Sequence, residues 1–176
     1  MHKTLLAVDG SEPAKHALEL ASDLAQKYDS DLLILHVSDP HPLSEDEIRM
    51  AEIEYADELS QYARDDPLKT VSQSEVLRTG VSLSRHQEIS GLIHRLMGQK
   101  LLEESKAHAR AKGVETVETR LETGDPAQMI IETAEKTGAN LIILGNRGRG
   151  SFKSLVLGSV STKVNQLSPV NVITVR

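Results

Sequence analysis

Cysteine and tryptophan are absent from this 176-residue chain, and Phe152 is its one phenylalanine. The lack of cysteine excludes disulfides, thiolate zinc sites, iron–sulfur ligation by cysteine and a cysteine nucleophile, and it fits a reducing compartment. Aromatic residues make up 2% of the chain, too few for a platform on which single-stranded bases stack. The formal charge of −6 argues against non-specific binding to nucleic acid. No apolar run is long enough to span a bilayer. The run Thr4-Leu5-Leu6-Ala7-Val8 is too short for a signal peptide and no small-residue cleavage site follows it. These absences predict a cytoplasmic protein with neither nucleic acid nor membrane among its partners. Two phosphate-binding motifs are also missing. No Gly-x-x-x-x-Gly-Lys-[Ser/Thr] loop occurs, and the first strand is followed by Gly10 without the glycines of the dinucleotide fingerprint.

What is present reads as alternating strands and helices. Thr4 to Val8 is a short buried strand closed by Asp9-Gly10-Ser11. A helix follows with Pro13 in its first turn, and Ala14, Ala17, Leu18, Ala21, Leu24 and Tyr28 recur along one face. Asp31 to Val37 is a second strand, so the chain opens with a βαβ unit and a parallel sheet. Val114 to Glu122 predicts a third strand after the helix stop at Gly113. Asp125-Pro126 starts a helix, with Gln128 read as completing a capping box, an inner face of Met129, Ile130, Ala134 and Thr137, and a stop at Gly138. Leu141 to Leu144 is a fourth strand. A helix from about Gly158 to Leu167 and a last strand, Val170 to Val175, bring the count to five.

The segment from His41 to about Arg85 breaks this rhythm. Ser44-Glu45-Asp46-Glu47 is a capping box; Ile48, Ala51, Tyr55, Leu59 and Tyr62 form an apolar stripe, and Asp66-Pro67 closes the helix. A Ser- and Thr-rich stretch from Thr70 to Ser84 leads to a helix predicted over 85–112, with Gly91 and Gly98 as its weak points. Pro40 to Arg85 holds ten acidic and five basic residues, a net −5 out of the total −6. The chain therefore reads as one domain, 1–176, with an acidic helical insertion at about 41–85.

Ligands of open parallel α/β sheets bind outside the carboxyl ends of the strands. Two strand ends are distinctive: Val8-Asp9-Gly10-Ser11, and Leu144-Gly145-Asn146-Arg147-Gly148-Arg149-Gly150-Ser151 with Gly158-Ser159-Val160-Ser161 beyond. Glycines let a backbone approach phosphate oxygens and supply positive φ. A helix start adds free N–H donors, Arg147 and Arg149 add charge, and Ser159 and Ser161 add hydroxyls.

The spacing Gly145-x2-Gly148-x9-Gly158-Ser159 resembles the ATP-binding signature of the universal stress protein family. Ala7-Val8-Asp9-Gly10-Ser11, Leu35-His36-Val37, Gly124-Asp125-Pro126-Ala127 and Pro169 to Val175 also resemble that family, in order and in position. The resemblance covers most of the chain outside His41 to Arg85. It implies an open five-stranded parallel sheet in the order 3-2-1-4-5 with helices on both faces, a fold like that of the adenine-nucleotide alpha hydrolases. It implies ATP as ligand, with Asp9 accepting a hydrogen bond from adenine or ribose and Ala7, Val8 and Val37 around the base. Leu144 and Gly145 then lie against the ribose. Arg147, Gly148 and Arg149 approach the phosphates, which Gly158, Ser159, Val160 and Ser161 hold from the helix start. Mg2+ is held mainly by phosphate and water, because no carboxylate cluster is present. The resemblance further implies a homodimer through the last strand, which Ile173→Pro is expected to disrupt, and leaves a protein partner open. Gly148→Val is expected to fill the phosphate space and to strain a positive-φ position.

Each feature has a plainer reading. Asp9 could cap a turn, Arg147 and Arg149 could be solvated, Ser159 could be an N-cap, and Asp125 is assigned wholly to capping. The seven histidines show no metal-ligand spacing, so no metal site is expected. No nucleophile or general base stands out. The reading is a nucleotide-dependent regulatory protein rather than an enzyme; the alternatives are a slow ATPase or adenylating enzyme of related folds and an interaction module without nucleotide.

Overall fold

The computed structural model describes residues 3–38, 43–59, 82–148 and 158–176. The chain divides into two compact units, one of residues 1–39 with 98–176 and one of residues 40–97.

The first unit is a five-stranded sheet in the order β3-β2-β1-β4-β5, in which every pairing is parallel. Its strands are β1 (Lys3–Ala7), β2 (Asp31–Ser38), β3 (Val117–Thr123), β4 (Leu141–Gly145) and β5 (Asn171–Val175). The helices of the chain are α1 (Glu12–Tyr28), α2 (Glu45–Glu54), α3 (Ser82–Ala111), α4 (Pro126–Thr137) and α5 (Ser159–Leu167).

Side chains alternate across the sheet, and each set meets its own helices. Leu6, Leu32, Ile34 and Ile143 pack with Ala17, Ala21 and Ala25 of α1 and with Leu102 and Ala109 from the second half of α3. Leu5, Leu33, Leu35, Ile142 and Leu144 pack with Ala127, Ile130 and Ala134 of α4 and Val164 of α5. Both faces are covered, and this is why β1, β2 and β4 read as unbroken apolar runs.

Three sequence expectations change in detail. Tyr28, placed on the inner face of α1, is 61% exposed; the buried stripe is alanine-rich and lets that helix lie close to the sheet. On α4 the buried residues include Ala127 and Thr133, while Met129 and Thr137 are half-buried. Gln128 does not close a capping box. Its amide donates forward to Glu132 at 2.8 Å, and Asp125 alone accepts from the helix, taking Gln128 N–H at 2.8 Å.

Edge strand β5 is half-buried along most of its length. Asn146 N–H donates to Val175 C=O at 2.6 Å, so the main-chain groups of Val175 face β4. By the alternation of a parallel ladder Ile173 faces β4 too, whereas Val172 and Thr174 turn their main-chain groups to the open edge. Ile173→Pro would therefore damage the ladder inside the sheet, and the residue whose N–H meets the open edge is Val172 or Thr174.

In the second unit, α2 opens with the capping box foreseen: Ser44 Oγ accepts from Glu47 N–H at 3.3 Å and the Glu47 carboxylate accepts from Ser44 N–H at 2.8 Å. Ile48, Ala51 and Tyr55 bury against Leu43 and Ile93, with Leu59, Ile89, Leu96 and Met97 around them. The apolar stripe of α2 is thus covered by the first half of α3, as in a helical hairpin, while Met50 and Ile53 are 72% and 80% exposed. The compact unit takes in more than the insertion read at 41–85, because the first half of α3 belongs to it. Tyr62, Asp66, Pro67 and most of the Ser- and Thr-rich stretch lie outside the described residues. Among the described residues no helix is long and apolar enough to cross a membrane.

Candidate functional site

The strand order reverses at β1, whose neighbours β2 and β4 run on to opposite edges. Beyond the carboxyl ends of these three strands lies a cavity of about 600 Å³, within the range of small-molecule sites. Ala7, Val8, Asp9, Val37, Leu144, Gly145, Arg147, Gly148, Gly158, Ser159, Val160 and Ser161 all line it. Arg149, the remaining residue expected there, lies outside the described residues. Ala14, Leu35, Pro126 and Ile130 line the cavity as well. Strand alternation carried a signal for Leu35, which shares a sheet face with Val37; Pro126 and Ile130 come from α4, whose start the sequence placed but whose approach it did not.

The turn after β1 is braced by Ser11, the N-cap of α1. Asp9 Oδ1 accepts from Ser11 N–H at 3.0 Å, and the Ser11 hydroxyl lies 2.6 Å from Asp9 Oδ1 and 3.1 Å from Arg147 C=O. Asp9 is therefore both a turn residue and a cavity residue: one carboxylate oxygen holds the turn, and the other faces Gly148. A Cβ on Gly148 would stand 2.7 Å from Asp9 Oδ2. Gly148 is not among the positive-φ glycines, nor are Gly145 and Gly158, so the expectation of left-handed strain at Gly148 is corrected. These glycines serve close approach instead. A Cβ on Gly145 would lie 2.9 Å from Ala14 N and from Pro13 C, both main chain. Gly145 is thus needed for the packing of α1 on β4, whatever else it touches.

The amino end of α5 projects at the cavity. Its N-cap is Gly158 rather than Ser159, and among the described residues no side chain caps it. Among the described residues nothing takes the N–H groups of the first turn, at Ser159, Val160 and Ser161, and such groups suit an anion or water. Ser161 was expected to offer its hydroxyl. That hydroxyl is spent inside the protein, 2.8 Å from Asn146 C=O and 3.0 Å from Gly158 C=O, and Ser161 is 2% exposed. Asn146, which no sequence signal marked, ties the region together: its carbonyl accepts from Gly158 N–H at 2.8 Å and its N–H bonds to β5. Beside it, Arg147 Nε is buried without a hydrogen-bond partner among the described residues.

A second set of main-chain groups opens on the cavity from β2. The ladder between β1 and β2 ends at Ala7 and Leu35, followed by Val8 N–H donating to Leu35 C=O at 2.9 Å. Leu35 thus faces β1, and so by alternation does Val37. Beyond Val8 the chain turns out of the sheet through Gly10, whose φ of 80° suits glycine. The next rung of the ladder is not made, and Val37 presents N–H and C=O at the cavity wall.

The amino end of α4 borders the same cavity through Pro126. Here Asp125 accepts from Gln128 N–H, and Lys163 of α5 reaches it at 3.0 Å. The Gln128 hydrogen bond first and the Lys163 ammonium second hold the Asp125 carboxyl below the usual carboxylate range. Among the described residues no three His, Asp or Glu side chains converge as metal ligands would.

The whole chain, residues 1–176, matches the family model of the universal stress proteins. Universal stress protein YxiE of Bacillus subtilis (strain 168) is 33% identical over 177 residues, which cover 99% of each chain. The solved universal stress protein UspA from Lactobacillus plantarum superposes with a TM-score of 0.63 at 20% identity, covering 99% of this chain and 97% of that one. The Archaeoglobus fulgidus universal stress protein in complex with dAMP gives 0.55 at 16% identity, covering 100% and 98%. An Arabidopsis thaliana family protein with AMP bound gives 0.56 at 19%, covering 99% and 91%. A match over the full length, with a relative at one-third identity aligned end to end, means that this chain belongs to the universal stress protein family.

Proposed function

We propose that this protein binds ATP in the cavity at the carboxyl ends of β1, β2 and β4 and acts as a nucleotide-dependent regulatory dimer. The observation that carries this reading is the amino end of α5, uncapped by any described side chain, beside Arg147, whose Nε has no hydrogen-bond partner among the described residues, in a cavity that Val37 also lines. The helix end is a site for an anion, and the main chain of Val37 is a donor and an acceptor on one edge, matching adenine N1 and its N6 amine. The dAMP and AMP complexes of the two solved neighbours support an adenine nucleotide here.

In this reading Ala7, Val8 and Val37 surround the base, with Asp9 hydrogen-bonding adenine or ribose, and Leu144 and Gly145 lie under the sugar. Arg147, Gly148, Gly158, Ser159, Val160 and Ser161 serve the phosphates, Ser161 through its N–H. Arg149 follows directly in sequence and is assigned to the same task. Asp9 is the single carboxylate of the described lining, so Mg2+ rests mainly on phosphates and water. When bound, the ion screens the charge of the polyphosphate. Asp9 and Arg147 are also the only ionisable side chains of that lining, and Asp9 is engaged by Ser11. Rapid hydrolysis needs a group that orients water or takes a proton, so the role assigned is binding rather than turnover.

Isothermal titration with ATP tests the site. Gly148→Val with Ser159→Ala is expected to abolish binding in a folded protein, because the valine displaces Asp9 and fills the approach to the loop; unchanged affinity would place the ligand elsewhere. Dimerisation is assigned to the edge of β5, whose main-chain groups at Val172 and Thr174 face no further strand among the described residues and suit an antiparallel copy of themselves about a two-fold axis. Val172→Pro removes a donor from that edge and spares the ladder to β4. Light scattering should show a dimer turned to monomer, and a wild-type monomer at micromolar concentration would refute the assembly.

A further inference from the structure

The run Asp31 to Ser38 carries one residue that its position does not ask for. On the α3 face of β2, Leu32 and Ile34 are aliphatic and fully buried, and the third residue of that row is His36. Its Nδ1 lies 2.8 Å from the carbonyl of Val8. A carbonyl only accepts, so Nδ1 carries a hydrogen and donates it. Val8 C=O is the acceptor that Val37 N–H would use in the next rung of the β1–β2 ladder.

We propose that His36 is a positioning residue: by holding the Val8 carbonyl on the α3 side of the sheet, it stops the β1–β2 ladder one rung early and keeps the main chain of Val37 open for the base. The assignment to a base rests on the ATP-binding reading above; the open rung itself does not. The ring is held from behind. A Cβ on Gly98 of α3 would stand 2.7 Å from His36 Cδ2 and 2.8 Å from Leu121 Cδ1, so that glycine lets the helix close over the imidazole. Gly98, a weak point by helix propensity, is the place where α3 touches the residue that sets the rung.

Two measurements on the full chain test this. The first needs no nucleotide. Amide hydrogen exchange in wild type should be fast at Val37 and slow at Leu35, and His36→Leu should bring Val37 into the ladder and slow its exchange at least about tenfold. A Val37 amide as protected as Leu35 in wild type overturns the proposal. The second is base selectivity by titration with ATP and ITP, since inosine presents N1–H and an oxygen where adenine presents N1 and an amine. His36→Leu should lower the ratio of ATP to ITP affinity by about tenfold. His36→Asn places an amide N–H where Nδ1 stood and should restore the ratio. Equal loss of both nucleotides in His36→Leu would mean a merely structural role and would overturn the proposal, as would an unchanged ratio. Should His36→Leu not fold, Gly98→Ala, which crowds the ring, must lower the same ratio for the proposal to stand. A wild type that binds neither nucleotide refutes the ATP reading and overturns the assignment to a base, while the exchange of Val37 still decides whether the rung is open.

Discussion

Two helices begin at the rim of one cavity and are finished in opposite ways. At α4 the free N–H groups meet the Asp125 carboxylate, which Lys163 neutralises in turn. At α5 the cap is Gly158, and no side chain among the described residues takes the N–H groups behind it. Both ends carry the same partial positive charge. The first is completed by a carboxylate of its own; the second has no such group among the described residues. The difference lies in one residue type at the cap position, and it turns equivalent helix starts into a structural joint and the phosphate site proposed above. The same contrast appears just beyond the strand ends, where the Ser11 hydroxyl bonds Asp9 and Arg147 C=O and Asn146 N–H meets Val175 C=O, while the β1–β2 rung at Val37 is not made.

The contrast can be broken by giving α5 a carboxylate of its own. Ser159→Asp puts a negative charge in the first turn of α5 at an exposed position, where it suits the dipole and competes with a phosphate. ATP affinity is expected to fall about a hundredfold or more by titration, with the thermal midpoint unchanged or raised. Retained affinity would show that the α5 start is not where the charge is held. The smaller effect is at α4. Asp125→Ala should lower the thermal midpoint by a few degrees and leave ATP affinity within about twofold, because that cap faces its own helix. A large loss of affinity there would erase the distinction between the two ends. Acid unfolding sharpens it further. The carboxyl of Asp125 is lowered in the folded protein, so its stabilisation is fully present above the ordinary unfolded aspartate value and is lost as pH falls through the lower folded value. Asp125→Asn keeps a cap without that ionisation and should flatten the corresponding part of the stability curve below the ordinary carboxylate range.

Much of this was legible in the residues. Unbroken apolar runs with helices between them announce a parallel sheet covered on both faces, and Asp125-Pro126 and Gly138 mark the start and stop of α4, as the structure shows. The Gly145, Gly148 and Gly158 spacing pointed to the strand end that lines the cavity. What was misread came from reading a residue without its neighbours. Tyr28 fits the helical period of α1 but falls at the last turn, beyond the sheet's cover, and is exposed. Gln128 has the capping-box spacing, yet Glu132 is the acceptor it reaches. Ile173 lies on the edge strand, but its N–H turns inward.

The sequence by itself determined the strand–helix alternation, the acidic character of the inserted segment and the chemistry available at the strand ends, because periodicity, charge and side-chain type are local properties. Only the tertiary structure decided how that chemistry is divided. It set the Ser161 hydroxyl on Asn146 instead of a ligand, made Gly145 a contact for α1, and brought His36 to Val8 across 28 positions of chain. Each of these depends on which donor meets which acceptor once distant strands lie side by side. A hydrogen bond is spent or free according to a neighbour that sequence order does not name.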